Sequence, residues 1–320
     1  MIRVGIVGYG NLGKSAHRLI KMTDDMEVVK IFTRRDPNKF DDDIFESYSN
    51  IDKYKEDIDV IFLAVGSATD IPQIAPEVVK YYNTVDSFDT HAEIPGYYDK
   101  MEVIAKENNN ACLISTGWDP GLFSLQRLMA ETILPKGNTY TFWGKGVSQG
   151  HSDAVRRIDG VRYAVQYTIP KEELIKNIDK LEGDLKSFEG HLRQVFVVAD
   201  DGADLDKIEN EIKNMKNYFD EYETQVFFID EKEFLNNHTS MPHGGHVIRV
   251  GETLDGNKEV IDYTLKLDSN PDFTACVNIA SIRAVYRFAK ENKFGVHTIL
   301  DTPPIYYSKL NIKDAVKKYL

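Results

Sequence analysis

The sequence predicts an α/β protein, with a doubly wound parallel sheet first and a second α+β domain built on a mostly antiparallel sheet. Three observations lead there. The first third alternates short apolar runs with helical periodicity, the pattern of parallel βαβ units. A glycine-rich turn follows the first of those runs directly. From about Thr139 the runs lengthen and alternate polar with apolar residues, as strands with one solvated face do.

Taken in order, Ile2–Val7 reads as a buried strand and Ser15–Met22 as the body of a helix. Strands follow at Glu27–Phe32, Val60–Ala64, Tyr82–Asp86 and Ala111–Ser115, with helical spacing at Ile71–Tyr81 and Pro95–Asn108. Beyond Thr139, strands are predicted at Tyr140–Trp143, Arg162–Ile169, Arg193–Val198, Glu223–Ile229, His246–Val250 and Val260–Lys266. Helices are predicted among them at Lys171–Ile178 and Asp204–Asn214, with helices on one side of a single open sheet. A long amphipathic helix, Phe273–Asn292, and a last one, Ile312–Tyr319, complete the chain. The predicted domains are residues 1–120 and 121–289, with about 290–320 packing back on the first.

The 320 residues carry 39 basic against 51 acidic side chains, a formal net charge of −12, with 42% hydrophobic and 28% charged residues. That is an ordinary globular composition and excludes a mostly disordered chain. The acidic balance argues against nucleic acid or an anionic membrane as the main partner. No apolar run approaches the roughly 18 residues of a membrane span, and the glycine-punctuated N-terminus does not read as a signal peptide. Cys112 and Cys276 are too few for a disulfide framework and fit no metal spacing, which points to a cytoplasmic protein.

Gly8-Tyr9-Gly10-Asn11-Leu12-Gly13 is a complete G-x-G-x-x-G between a predicted strand and a predicted helix, the context a dinucleotide site requires. Gly8 permits the tight turn, Gly10 lets the backbone approach a pyrophosphate, and Gly13 allows close helix–strand packing, as in a Rossmann-type domain. The end of the second strand selects the cofactor. Asp or Glu there would hold a ribose 2′-hydroxyl; Thr33-Arg34-Arg35 instead offers two guanidiniums and a hydroxyl to a 2′-phosphate, which selects NADP. After the next strand, Gly66-Ser67-Ala68-Thr69-Asp70 fits either backbone approach to the cofactor or a turn capping a helix. Asp89 and Asp119 both follow predicted strands and fall at the carboxyl edge of the sheet, where such folds bind ligands. Each could equally be a turn or capping aspartate, and Asp86 competes with them. His243 and His246 invite a zinc reading, but no third ligand stands at a convincing spacing and no metal is predicted.

The strings VGYGNLG, TRR, GSATDIP, STGWDPGLFS, FWGKGVSQGHSDAVRR, TSMPHGGHVI and LDSNPDFTA, in this order over most of the chain, strongly resemble the meso-diaminopimelate D-dehydrogenase family. The resemblance implies a homodimer with dinucleotide, dimerisation and substrate regions. It also implies a reversible, NADP-dependent oxidative deamination of meso-2,6-diaminopimelate at its D-centre, in lysine biosynthesis. Carried over residue by residue, Asp89 and Asp119 become D-centre contacts close to the nicotinamide, and either could take the amine proton, directly or through water. Trp143 walls the pocket. Gln149 and Gly150, read as a loop, could reach a carboxylate. Thr168, Arg193, His243 and Asn270 grip the distal L-end, and His151 is a further pocket candidate beside a capping pair, Ser152-Asp153. Cofactor contacts extend to Ile71, His91, Pro120, Gly121, Phe123 and Ser124. No lysine stands in a recognisable catalytic motif, which leaves the general base open. The alternatives are a NADPH-binding sensor without turnover and another NADPH-dependent reductase of this architecture. WDPG and QGHSD argue against the reductase.

Overall fold

The computed structural model describes residues 1–40 and 42–320. The chain divides into two compact units, residues 1–125 with 271–320, and residues 126–270. The strands in chain order are β1 (Ile2–Val7), β2 (Met26–Thr33), β3 (Phe45–Ser47), β4 (Val60–Leu63), β5 (Asn83–Asp86), β6 (Ala111–Leu113), β7 (Gly137–Trp143), β8 (Gly146–Val147), β9 (Val161–Pro170), β10 (His191–Ala199), β11 (Glu223–Phe228), β12 (His243–Glu252), β13 (Lys258–Leu267) and β14 (Gly295–His297).

In the first unit, β14-β6-β5-β4-β1-β2-β3 form one parallel sheet among the described residues. Alternation along each strand sends side chains to opposite faces. Val4, Ile6, Val60 and Phe62 pack with Ala16 and Ile20 of the helix Asn11–Ile20 and with Ala275, Ile279, Ile282 and Val285 of the helix Asn270–Lys290. Val7, Ile61 and Leu63 pack on the other face with Ile74 and Val78 of the helix Ile71–Val78 and with Met101 and Ala105 of Ile94–Glu107. Helices therefore cover both faces, as the continuous apolar runs of the strands require. The helix Asn270–Lys290, which a boundary at 289 would assign to the second domain, packs on this sheet because its Ala275, Ile279 and Ile282 match the β1 and β4 face.

The second unit is the expected α+β class, but its strands divide into two sheets instead of one: β11-β10-β9-β8 and the antiparallel β13-β12-β7. Within the first of these, β10 pairs antiparallel with β9 and parallel with β11. Helices on a single side were also expected, and here the structure differs. Ala164, Val195 and Val197 pack under the helices Gln149–Arg156 and Leu205–Lys213. Val165, Tyr167 and Val198 on the opposite face pack with Phe234 of the helix Glu231–Asn237. Each face of this sheet thus carries its own apolar row. Among the described residues, no helix is long and apolar enough to cross a membrane.

Candidate active site

The chain leaves β1 through Gly8, at φ +97°, where a Cβ would lie 2.4 Å from the Ala64 carbonyl oxygen; only glycine makes this turn at this approach. A Cβ at Gly13 would lie 2.3 Å from Gly8 O, so the helix sits directly against the turn, while Gly10 faces open space. No side chain caps the N-terminus of Asn11–Ile20, which leaves its first backbone N–H groups available to an anion. Gly8, Gly10 and Asn11 line a cavity of about 490 Å³, together with Thr33, Arg34, Arg35, Tyr48, Gly66, Asp70 and Ile74. The backbone cradle and the guanidiniums fit a dinucleotide.

At the end of β2, Thr33 is buried and its hydroxyl accepts from the Arg35 N–H at 3.1 Å. Arg35 donates to Tyr9 O at 3.1 Å and lies over the Phe40 ring. Arg34 instead makes a two-bonded fork with Asp70, both distances 2.9 Å. That bond holds the Asp70 carboxyl below its ordinary range. Asp70 makes no side-chain bond to the helix it precedes; its carboxylate accepts from Gly66 N and from Arg34. Ala68 and Thr69 are exposed and Ile71 is buried.

At the carboxyl edge, the exposed Asp89 accepts from the Ser67 hydroxyl at 2.5 Å, and its N–H donates back to that hydroxyl at 2.9 Å. The structure thus joins the Ser67 loop to Asp89. Asp119 is half-buried in the turn closed by the Trp118–Gly121 bridge: Gly121 stands at φ +132°, where a Cβ would meet Gly117 O, and its N–H donates to Ser124 Oγ. Phe123 is buried edge-on against Trp118, Pro120 is half-buried, and His91 is exposed on the short 3-10 helix His91–Glu93. Asp86 is fully buried and exposes no oxygen to a ligand.

In the second unit, Thr168 and Arg193 are cross-strand partners in β9 and β10, and the guanidinium donates to the Thr168 hydroxyl. Gly146 of β8 pairs with Thr168 on its other side, and the His243 ring fills the space a Cβ at Gly146 would occupy. Gln149 Nε2 reaches Met241 Sδ, and Met241 O accepts from the Asn270 N–H at 2.9 Å. One region of this unit therefore gathers Thr168, Arg193, His243, Gln149 and Asn270. Gln149 and Gly150 are not loop residues; they open the helix Gln149–Arg156, where their N–H groups precede the hydrogen-bonded turns. Ser148 is the cap, accepting from the His151 N–H, whereas Ser152 donates to Ser148 O and Asp153 pairs with Arg156; the expected Ser152-Asp153 cap is not formed.

Three residues here escaped the sequence reading. His191, buried, accepts the Trp143 N–H on Nε2 at 2.8 Å and donates from Nδ1 to Ser187 O at 2.7 Å, which fixes its tautomer and orients Trp143. Tyr222 stacks on the Arg193 guanidinium at 4.0 Å. Gln166, fully buried, donates weakly to the Thr168 hydroxyl at 3.4 Å. Gln166 and His191 stand two residues from Thr168 and Arg193 on their strands, a spacing that places them on the same faces and could have revealed them. Burial, reinforced by the Arg193 charge, pushes His151 down to about 4; burial also pushes His191 down to about 4, against its bond to Ser187. Burial likewise lowers Arg193, which Tyr222 opposes. His246 contacts Asp262 and Thr264, and no group of three or more His, Cys, Asp or Glu among the described residues is arranged to hold a metal.

A glycine turn feeding a helix, a basic strand end and carboxylates at the carboxyl edge of a parallel sheet define a nicotinamide-dinucleotide oxidoreductase. Residues 117–269 match the family model of the diaminopimelic acid dehydrogenase C-terminal domain. The chain is 50% identical over 323 residues to the meso-diaminopimelate D-dehydrogenase of Ureibacillus thermosphaericus, covering 100% of this chain and 99% of that one. It belongs to the meso-diaminopimelate D-dehydrogenase family, amino-acid dehydrogenases acting on CH–NH₂. Among solved structures it is similar to Corynebacterium glutamicum DAP dehydrogenase in complex with DAP, with a TM-score of 0.92 and 47% identity over 100% of this chain and 99% of that one. A Clostridium tetani meso-DAP dehydrogenase with DAP, substituted in chain order at Gln, Thr, Arg, Pro, His and Asn, gives 0.94 and 48%, covering all of both chains. An engineered D-amino acid dehydrogenase bound to NADP⁺ gives 0.87 and 45%, over 100% and 99%.

Proposed function

We propose that the chain, as a homodimer, converts meso-2,6-diaminopimelate, NADP⁺ and water to L-2-amino-6-oxopimelate, ammonia, NADPH and a proton, reversibly, reacting only at the D-centre. The observation that carries the substrate assignment is Arg193. The residue is 8% exposed, no acidic side chain pairs with it among the described residues, and its Nε is buried without a partner. A buried cation left without an anion is costly, and a ligand carboxylate would supply one. Thr168, His243, Gln149 and Asn270 bring further donors and acceptors, as the unreacting amino-acid end of the substrate needs. The residue types replaced in the C. tetani protein, an adjacent Pro-His among them, are those of Gln149, Thr168, Arg193, Pro242, His243 and Asn270 in the same order.

Arg35, Thr33 and Arg34 hold the 2′-phosphate that distinguishes NADP. When bound, the nicotinamide supplies the hydride acceptor. Asp89 and Asp119 bind the D-centre ammonium, and one of them takes its proton, so that the nitrogen lone pair can support hydride loss. Trp143 excludes water from the reacting carbon until the iminium is ready for hydrolysis. Anchoring the L-end fixes which hydrogen faces the cofactor.

Absorbance at the NADPH band tests the reading, with NADP⁺ and the meso, LL and DD isomers in separate cuvettes. Turnover of the meso isomer in preference to LL is the expected result. Silence on all three with intact NADPH binding would overturn it.

A further inference from the structure

Asp86 closes β5 fully buried, with no cation paired to it among the described residues. Such a carboxyl persists only where hydrogen bonds replace its lost water. Oδ1 accepts from Phe88 N at 2.9 Å and from Ser115 N at 3.1 Å, and Oδ2 accepts from the Tyr97 hydroxyl at 2.7 Å. Its backbone oxygen accepts from Thr116 N at 2.8 Å. One residue therefore fastens two loops to each other: the one that reaches Asp89 three residues on, and the one that reaches Asp119 from Ser115. Ser115 is held at φ +54°, a left-handed conformation unusual for a side chain other than glycine or Asn. A second tie runs beside the first. Asn278, fully buried on Asn270–Lys290, touches the Thr116 hydroxyl and donates to Ser87 Oγ at 3.0 Å.

We propose that Asp86 is a positioning residue whose carboxyl sets the Asp89 and Asp119 carboxylates relative to each other; the inference rests on the reaction proposed above. Asp86 never touches substrate. It acts through the two N–H groups it holds, and the spacing of the two acidic side chains decides whether the D-centre ammonium is met by both.

The test compares Asp86→Leu, Asp86→Asn and Asn278→Ala in the full chain. NADPH affinity is read by fluorescence, and kcat and KM with meso-diaminopimelate by absorbance. Asp86→Leu leaves both N–H groups unpaired; it should bind NADPH within about threefold of wild type while kcat falls roughly 10- to 100-fold, the scale that misplacing reacting groups produces. Asp86→Asn keeps one oxygen for both N–H groups, and the Tyr97 hydroxyl can turn to accept from the new amide. It should recover kcat to within severalfold of wild type. Asn278→Ala should show the same split as Asp86→Leu in a milder form, and carries the test if the leucine variant does not fold. Wild-type kcat in Asp86→Leu would overturn the proposal, as would parallel loss of NADPH affinity and kcat in Asp86→Leu or Asn278→Ala. Failure of the wild-type chain to oxidise meso-diaminopimelate would overturn the reaction itself.

Discussion

In the unit of residues 1–125 and 271–320, the groups proposed to meet a ligand are backbone N–H groups at a helix start and the exposed side chains of Arg34, Arg35 and Asp89. In the unit of residues 126–270 they are buried side chains, Thr168 and Arg193, braced by Tyr222 and Gln166. The first arrangement is cheap to keep solvated and suits the proposed reading of a phosphate through charge. The second is paid for by desolvation and gains shape and geometry in return. A cofactor that must leave after each turnover suits the first; discrimination between the two chemically equal ends of one substrate suits the second.

The largest expected difference comes from Arg193→Met. Removing the buried fork proposed to meet a substrate carboxylate should lower kcat/KM for meso-diaminopimelate by about 10³-fold, with NADPH affinity unchanged. Steady-state kinetics and NADPH fluorescence titration measure the two arms. A comparable loss of NADPH affinity would break the division of labour between the units.

Acid should separate the units next. His191 titrates near 4 in the folded chain against 6.5 for the ordinary group. The unfolded chain therefore takes up its proton first, so the contribution of His191 is intact above pH 6.5 and is lost as pH falls toward 4. The loss is of order 3 kcal/mol. His151 acts in the same direction. Asp86 acts oppositely, since burial raises its carboxyl and the folded chain holds that proton more readily than the unfolded one. Hydrogen exchange at pH 7 and pH 4.5 should show peptides of 126–270 losing protection before those around β5. The reverse order would contradict both assignments.

What the sequence disclosed follows the same division. Gly8 and Gly13 were legible because their backbone has no alternative to glycine, and Thr33-Arg34-Arg35 because its place at a strand end gives it meaning. The fork between Arg34 and Asp70 was not, since 36 residues separate the partners. In the second unit the period-2 pattern located β9, β10 and β12 but not their register, so the family resemblance put Thr168 and Arg193 in one grip while their facing each other came only with the strand pairing. The helix Glu231–Asn237 was missed because its seven residues hold a single buried anchor, Phe234, too few to display a period, and with it went the second covered face of the sheet. Two sheets instead of one is a fact of strand pairing, which alternation alone does not encode.

On the cofactor side, Arg35→Ala should weaken NADPH by roughly 10- to 30-fold, about 1.5–2 kcal/mol for a lost charge-assisted contact, and NADH far less. Equal losses would sink the 2′-phosphate assignment. Arg34 sharpens the comparison further, because its fork is already engaged by Asp70 in an exposed pair, which is worth little to stability. Asp70→Asn keeps the shape but removes the negative charge, so Arg34 no longer has to choose between a carboxylate and a phosphate. NADPH affinity should then rise by about threefold or less, consistent with a screened surface pair, and the gain should shrink as salt is raised. Isothermal titration at two ionic strengths measures it. A loss of affinity in Asp70→Asn would instead mean that Asp70 holds Arg34 in the orientation the phosphate needs, and the exposed unit would then depend on preorganised side chains just as the buried one does.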